Sequence, residues 1–287
     1  MQEFENYIFD LYGTLLDIKC DERSPELWRF LAQYYAVYGC DWDAESLSET
    51  FWRMDAEERD ILKKQLKIQC PEIQLEKVFV RLLLEAPSFH HCAAHIAGMP
   101  VDSLRQSYGG SGKNEKAALL STIMQGEWSH ATANLFRLTS RSYIRPYPHT
   151  IATLRALKEK GKKVFLLSNA QAIFTMPELE SSGILPYFDR LYISSDYGMM
   201  KPEKAFLERL LSQEALSPAA TVMVGNEIQC DVAIALRCGI HSIFLNTGAA
   251  PQAEIQQQAE AALKKENAPA ALFPEIVADG DIKALLH

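Results

Sequence analysis

From about residue 146 onward, short apolar runs alternate with amphipathic stretches. KVFLLSN (163–169), RLYIS (190–194), TVMVGN (221–226), SIFLN (242–246) and EIVAD (275–279) are rich in β-branched, aromatic and leucine side chains and predict strands. Between them, 150–161, 172–183, 203–215 and 230–239 carry apolar residues at helical spacing. Several of these helices close on a glycine (Gly161, Gly183, Gly239), as helix C-termini prefer. Such alternation predicts βαβ units and a doubly wound, Rossmann-like parallel sheet covered on both faces. One more strand opens the chain, Tyr7-Ile8-Phe9, and it runs straight into a carboxylate, Asp10.

The stretch 18–145 follows a different pattern. Residues 25–39, 43–66 and 75–86 have helical spacing, and no run there reads clearly as a strand. The expected organisation is therefore an α/β core, 1–17 and 146–287, interrupted after its first strand by a helical block, 18–145. Residues 107–114, SYGGSGKN, read as a flexible loop. They do not make a phosphate-binding P-loop, because Asn114 follows Lys113 where Ser or Thr is needed. Residues 252–267 predict a polar surface helix.

Composition narrows the function classes. The 287 residues are 48% hydrophobic and 23% charged, enough for a sizeable core. The net charge is -8 without a Lys/Arg cluster, which argues against nucleic acid and membrane surfaces as partners. Six cysteines are scattered with no C-x-x-C pair, so free thiols in a reducing compartment are expected. No basic start followed by an apolar run marks a leader, and no run approaches the roughly 20 residues that span a bilayer. The expectation is a cytoplasmic protein acting on a small molecule.

In open parallel sheets, ligands bind beyond the carboxyl ends of the strands. The polar residues found there are Asp10, Ser168-Asn169, Lys201 and Asn226-Glu227 with Asp231. Singly, each has a structural reading. Asp10 can cap a turn, Ser168 a helix, Lys201 can be a surface lysine, Asp231 can favour a helix dipole, and Asp17 reads as structural. Jointly, they lie at one edge of the predicted sheet. There Asp10 can act as a nucleophile, and Lys201 can neutralise it and an anionic substrate. Ser168 and nearby N–H groups can hold substrate oxygens, and Thr14 can donate toward Asp10 or the substrate. Asn226 and Asp231 offer oxygens to a hard cation such as Mg²⁺.

The set resembles the haloacid dehalogenase-like (HAD) superfamily of hydrolases. DLYGTLLD resembles its first motif, an aspartate nucleophile followed by x-[DY]-G-T-L. VFLLSNA resembles the second, MKPEKAF the third with its lysine, and VGNEIQCDVAIALRCGI the fourth, usually G-D-x-x-x-x-D. The resemblance covers 1–17 and about 146–248, and implies a helical cap inserted after the first strand. It implies catalytic roles for Asp10, Tyr12, Thr14, Ser168, Asn169 and Lys201, with Ser168, Asn169 and Lys201 also binding substrate. It places metal ligands at Asp10, Tyr12, Asn226, Glu227 and Asp231, with Mg²⁺ as cofactor.

Two positions depart from the phosphatase pattern. Tyr12 stands where phosphatases carry the aspartate that protonates the leaving group. Acid help of that kind contributes typically 10²–10⁴-fold, and a phenol with a pKa of about 10 is a poor acid at neutral pH. Tyrosine there is typical of 2-haloacid dehalogenases, whose halide needs no proton. Asn226 replaces an aspartate and removes one negative charge from the metal site, although Asp10, Glu227 and Asp231 remain and Asn226 to Asp231 keeps the phosphatase-type spacing. The dehalogenase pattern also expects a tyrosine near Phe206-Leu207 and a cap arginine, for which Arg23, Arg29 and Arg53 are candidates. The leading expectation is thus Mg²⁺-assisted hydrolysis of a phosphate ester or acyl phosphate through an aspartyl-enzyme. The alternatives are a metal-free 2-haloacid dehalogenase and a catalytically weak binding or regulatory protein. HHCAAH (90–95) would put His91 and His95 on one helix face as chelators, but a cap segment without a third ligand is the preferred reading. Trp28, Phe30, Tyr34, Tyr35, Tyr38 and Phe51-Trp52 read as mostly core.

Overall fold

The computed structural model describes residues 2–286. The chain folds into two compact units: Met1–Ile18, Leu66–Glu72 and Tyr143–His287 form one, Lys19–Gln65 and Ile73–Ser142 the other. Where the sequence reading gave all of 18–145 to a helical block, the segment Leu66–Glu72 packs with the α/β unit.

The α/β unit is built on a six-stranded sheet. Its spatial order is Glu275–Val277, His241–Leu245, Thr221–Gly225, Asn6–Phe9, Lys163–Ser168, Arg190–Ile193, and every neighbouring pair is parallel. Numbered by position in the chain, that order is 3-2-1-4-5-6 read from the opposite edge, the doubly wound arrangement. Side chains alternate across the pleat, so each strand feeds two cores. Tyr7, Phe9, Val164, Leu166, Val222 and Val224 pack on one face, and Ile8, Phe165, Leu167, Tyr192 and Met223 on the other. Both faces are covered, which is why these strands read as continuous apolar runs rather than alternating ones. The helices Thr150–Glu159, Ala172–Ser181, Lys204–Gln213 and Ala233–Cys238 match the predicted positions within a few residues, the last preceded by a π-helical turn, Ile228–Val232. The polar stretch near the C-terminal end forms the helix Gln252–Lys265.

The helical unit contains Pro25–Val37, Ala44–Leu66 up to Gln65, Leu75–Leu84, Val101–Gly110, Lys113–Met124 and Glu127–Ser140. Its core is aromatic. Phe51 lies 5.1 Å from Trp28, 5.5 Å from Phe136 and 5.8 Å from Phe79, centroid to centroid. Tyr35 is buried as expected, whereas Phe30 is exposed. The expected loop 107–114 is mostly helix, broken only at Ser111-Gly112. Gly109 and Gly110 fall in a last turn, and the Gly112 N–H donates to the Glu115 carboxylate at 3.1 Å, capping the next helix. HHCAAH is not helical. It leads into the hairpin His95–Ile96 and Met99–Pro100, with His90 and His91 on Asp41 and Asp102. Leu16–Cys20 and Arg141–Pro146 are strands that the sequence did not reveal. All six cysteines are free, and no helix among the described residues is long and apolar enough to cross a membrane.

Candidate active site

The strand Asn6–Phe9 is central, and chain order reverses on either side of it. Asp10, the next residue, donates its N–H to the Val224 carbonyl at 2.9 Å, which holds it beside the end of Thr221–Gly225. Asp10 is buried, its side chain 10% exposed. The Lys201 ammonium reaches Asp10 Oδ1 at 2.6 Å and Asp231 Oδ1 at 2.7 Å. Thr14 Oγ1 lies 3.0 Å from Asp10 Oδ2 and 3.0 Å from Asn226 Oδ1. The structure thus brings together Asp10, Thr14, Lys201, Asn226 and Asp231, drawn from two strand ends and the loop before Lys204–Gln213.

Local chemistry explains the placement. Gly225 is needed because a Cβ there would sit 2.1 Å from Asp231 Oδ2. With Gly225 bare, that carboxylate folds back and accepts the Glu227 N–H at 2.9 Å. Gly13 has φ 81° and would meet the Asn226 carboxamide at 2.5 Å if it carried a Cβ. Asn169 and Lys201 clamp each other. Lys201 N–H donates to Asn169 Oδ1 at 2.7 Å, and Asn169 Nδ2 donates to the Lys201 carbonyl at 3.0 Å.

Electrostatics follow from burial. Lys201 and Asp231 are each 2% exposed. Burial works against the Lys201 ammonium, but Asp10 and Asp231 outweigh it and hold the amine above its ordinary value. Burial pushes the Asp231 carboxyl up, with Lys201 pulling the other way. Two carboxylates share one ammonium, so the cluster carries net negative charge whenever both acids are ionised.

Other predicted residues stand apart. Ser168 ends the strand next to Asp10, and its hydroxyl is buried with no hydrogen-bond partner. Glu227 is exposed. The Tyr12 phenol bonds to Thr175 at 3.1 Å and donates to the buried Glu178 carboxylate, so it is engaged by the helix Ala172–Ser181. Neither partner was read from the sequence. Their i, i+3 spacing on one helix was the available signal, and a buried acid there was not anticipated. Phe206 and Leu207 are fully buried core. Arg29 and Arg53 pair with Glu26 and Glu57, and Arg23 stacks on Trp52 at 4.2 Å, all on the helical unit's own surface. Asp17 is structural, accepting bonds from Tyr143 and Arg145. Among the described residues no group of three His, Cys, Asp or Glu is placed to hold a metal.

A family profile described as haloacid dehalogenase-like hydrolase matches residues 4–239. The chain belongs to the haloacid dehalogenase-like hydrolases. It is 34% identical to a glyceraldehyde 3-phosphate phosphatase of Methanothermobacter thermautotrophicus over 36% of this chain and 46% of that protein. A protein of the same name from Methanocaldococcus jannaschii is 33% identical, over 37% and 46%. The chain thus spans about half the length of the curated relatives it matches. Among solved structures, a 2-haloacid dehalogenase from Pseudomonas syringae pv. Tomato DC3000 shares the fold, with TM-score 0.56 and 19% identity over 99% of this chain and 98% of that one.

Proposed function

We propose that this HAD-like hydrolase cleaves small phosphorylated molecules through a covalent intermediate on Asp10. The observation that carries the reading is the Asp10 carboxylate at the sheet's reversal point, 2.6 Å from the buried Lys201 ammonium. A carboxylate oxygen of Asp10 attacks phosphorus, the bond to the leaving group breaks, and that group departs with the electron pair. Water then attacks the phosphorus of the aspartyl phosphate, the Asp10 oxygen leaves as carboxylate, and inorganic phosphate and a proton are released. Lys201, 2.6 Å from Asp10, offsets the charge that gathers on the phosphoryl oxygens. The unpartnered Ser168 hydroxyl and the Asn169 region suit substrate oxygens.

Tyr12 sets the leaving group. Its phenol is committed to Glu178 and Thr175, so the chain relies on leaving groups that depart without a proton. Acyl and aryl phosphates meet that condition. The residues present also fit Mg²⁺. Thr14 has one hydroxyl proton but two oxygen neighbours, Asp10 Oδ2 and Asn226 Oδ1, so one of the two accepts nothing from it. Those oxygens would hold the ion, with the Tyr12 position and Glu227 as further predicted ligands, while both Asp231 oxygens already accept bonds from Lys201 and the Glu227 N–H. Bound Mg²⁺ supplies positive charge for the phosphoryl oxygens. We assign the helical unit the role of the family's cap.

The committed phenol equally favours a second reading, release of halide from a 2-haloacid. Assays of phosphate release from acetyl phosphate and p-nitrophenyl phosphate, with Mg²⁺ or EDTA, and of chloride release from 2-chloropropionate separate the two. Phosphate release that Asp10→Asn abolishes supports the first. Chloride release in EDTA with no phosphate release replaces it by the second. Silence on all three substrates overturns both and leaves the binding or regulatory reading.

A further inference from the structure

The segment Leu66–Glu72 lies in sequence between two helices of the helical unit yet packs within the α/β unit. Its contacts converge on the residues just before and after Lys201. Ile68 is buried among Tyr192, Phe206 and Leu207. Pro71 pairs antiparallel with Met199. Met200 N–H donates to the Cys70 carbonyl at 3.0 Å, and Glu72 N–H to the Gly198 carbonyl at 3.2 Å. The Gln69 and Cys70 N–H groups both donate to Glu203 Oε2, at 2.8 and 3.2 Å. The segment ends in Glu72, which is 5% exposed. Its carboxylate accepts Gln171 Nε2 at 3.1 Å and Ser194 Oγ at 3.2 Å. Gln171 is two residues from Asn169, which clamps the Lys201 backbone.

We propose that Glu72 is a positioning residue for Lys201. It pins residues 69–72 along 198–200 from one side and steadies the 169–171 loop from the other. Lys201 touches Asp10 and Asp231 only while its backbone is fixed. A buried carboxylate is costly unless its oxygens are hydrogen-bonded, so this one is retained where its bonds hold two loops together. The proposal rests on the catalytic role given to Lys201 above.

The test uses the full chain with Glu72→Ala and Glu72→Gln. Amide hydrogen exchange at Met200 and Lys201 is read alongside kcat and KM for acetyl phosphate. Displacing a catalytic group by about 1 Å costs on the order of 10²-fold. The expected result for Glu72→Ala is therefore a kcat loss of that order, KM within about two-fold, and faster exchange at both amides. Glu72→Gln, which keeps an acceptor, stays near wild type. Unchanged exchange in Glu72→Ala overturns the proposal, as does a Gln variant as impaired as the Ala variant. If Glu72→Ala does not fold, Gln171→Leu removes one donor to the same carboxylate and is read by the same measurements, with no change at either amide again overturning the proposal. If the wild type turns over no acetyl phosphate, the phosphatase reading fails, and exchange alone decides the role of Glu72.

Discussion

A single ammonium shared by two buried carboxylates is the most demanding arrangement in the molecule. Lys201 loses hydration that Asp10 and Asp231 replace. Removing one partner of a buried pair typically costs about 3–5 kcal/mol. Lys201→Ala is therefore expected to destabilise the α/β unit by that order as well as abolish turnover, checked by urea titration and by assay. At Asp10 the expectation is cleaner. Asp10→Asn keeps size but removes the nucleophile and one of the two negative charges on Lys201, so phosphate release falls to background, while the urea midpoint drops less than in Lys201→Ala because Asp231 still pairs with the ammonium. At Asn226 and Tyr12 the prediction is a gain. The Tyr12→Asp, Asn226→Asp double variant should hydrolyse unactivated alkyl phosphates faster and require less Mg²⁺, read by phosphate release against metal concentration. No gain would count against a phosphatase. Asp10 was legible because it stands just past an apolar run, where a charged residue needs a reason, and Lys201 and Asp231 because they fall in the stretches that resemble the third and fourth motifs. The phenol's partners were not, because Thr175 and Glu178 sit inside a helix whose inward face periodicity alone does not fix.

Elements were read well where period and punctuation agreed. The strands of the sheet end where polar residues begin, and Gly161, Gly183 and Gly239 do follow helices, each with positive φ. They were misread where glycine had another use. Gly109, Gly110 and Gly112 signalled a loop, yet two close a helix and the third caps the next. The close approach of Gly225 to Asp231 yields a direct prediction. Gly225→Ala forces a methyl into a carboxylate contact of 2.1 Å, so the fourth-motif loop must shift. Overpacking of this kind costs typically 1–3 kcal/mol. Activity should fall together with the thermal midpoint, whereas Gly161→Ala, with open space around its Cβ, should pay only the strain of its φ and keep activity.

Across the whole molecule, stability should carry a pH signature from outside the site. Asp281 is partly buried, which raises a carboxyl's pKa. The bonds from Lys283 and from His149 at 2.9 Å outweigh this and lower it to about 2. The unfolded value is about 3.9. A depressed folded value means the contribution is complete above the unfolded pKa and is lost as pH falls from about 4 toward 2. Asp281→Asn should lower the urea midpoint at pH 7 and flatten its fall across that acid window. The broad plan, an α/β unit interrupted by helices, was visible from pattern alone. What it hid was the return of Leu66–Glu72, because seven residues with one buried isoleucine carry no period of their own. That return has a practical consequence. Excising 19–142 to obtain a minimal Rossmann-like enzyme would also discard the antiparallel lane beside residues 198–200. Any shortened version that hopes to keep its lysine in register has to graft those seven residues back, or supply another bracing peptide in their place.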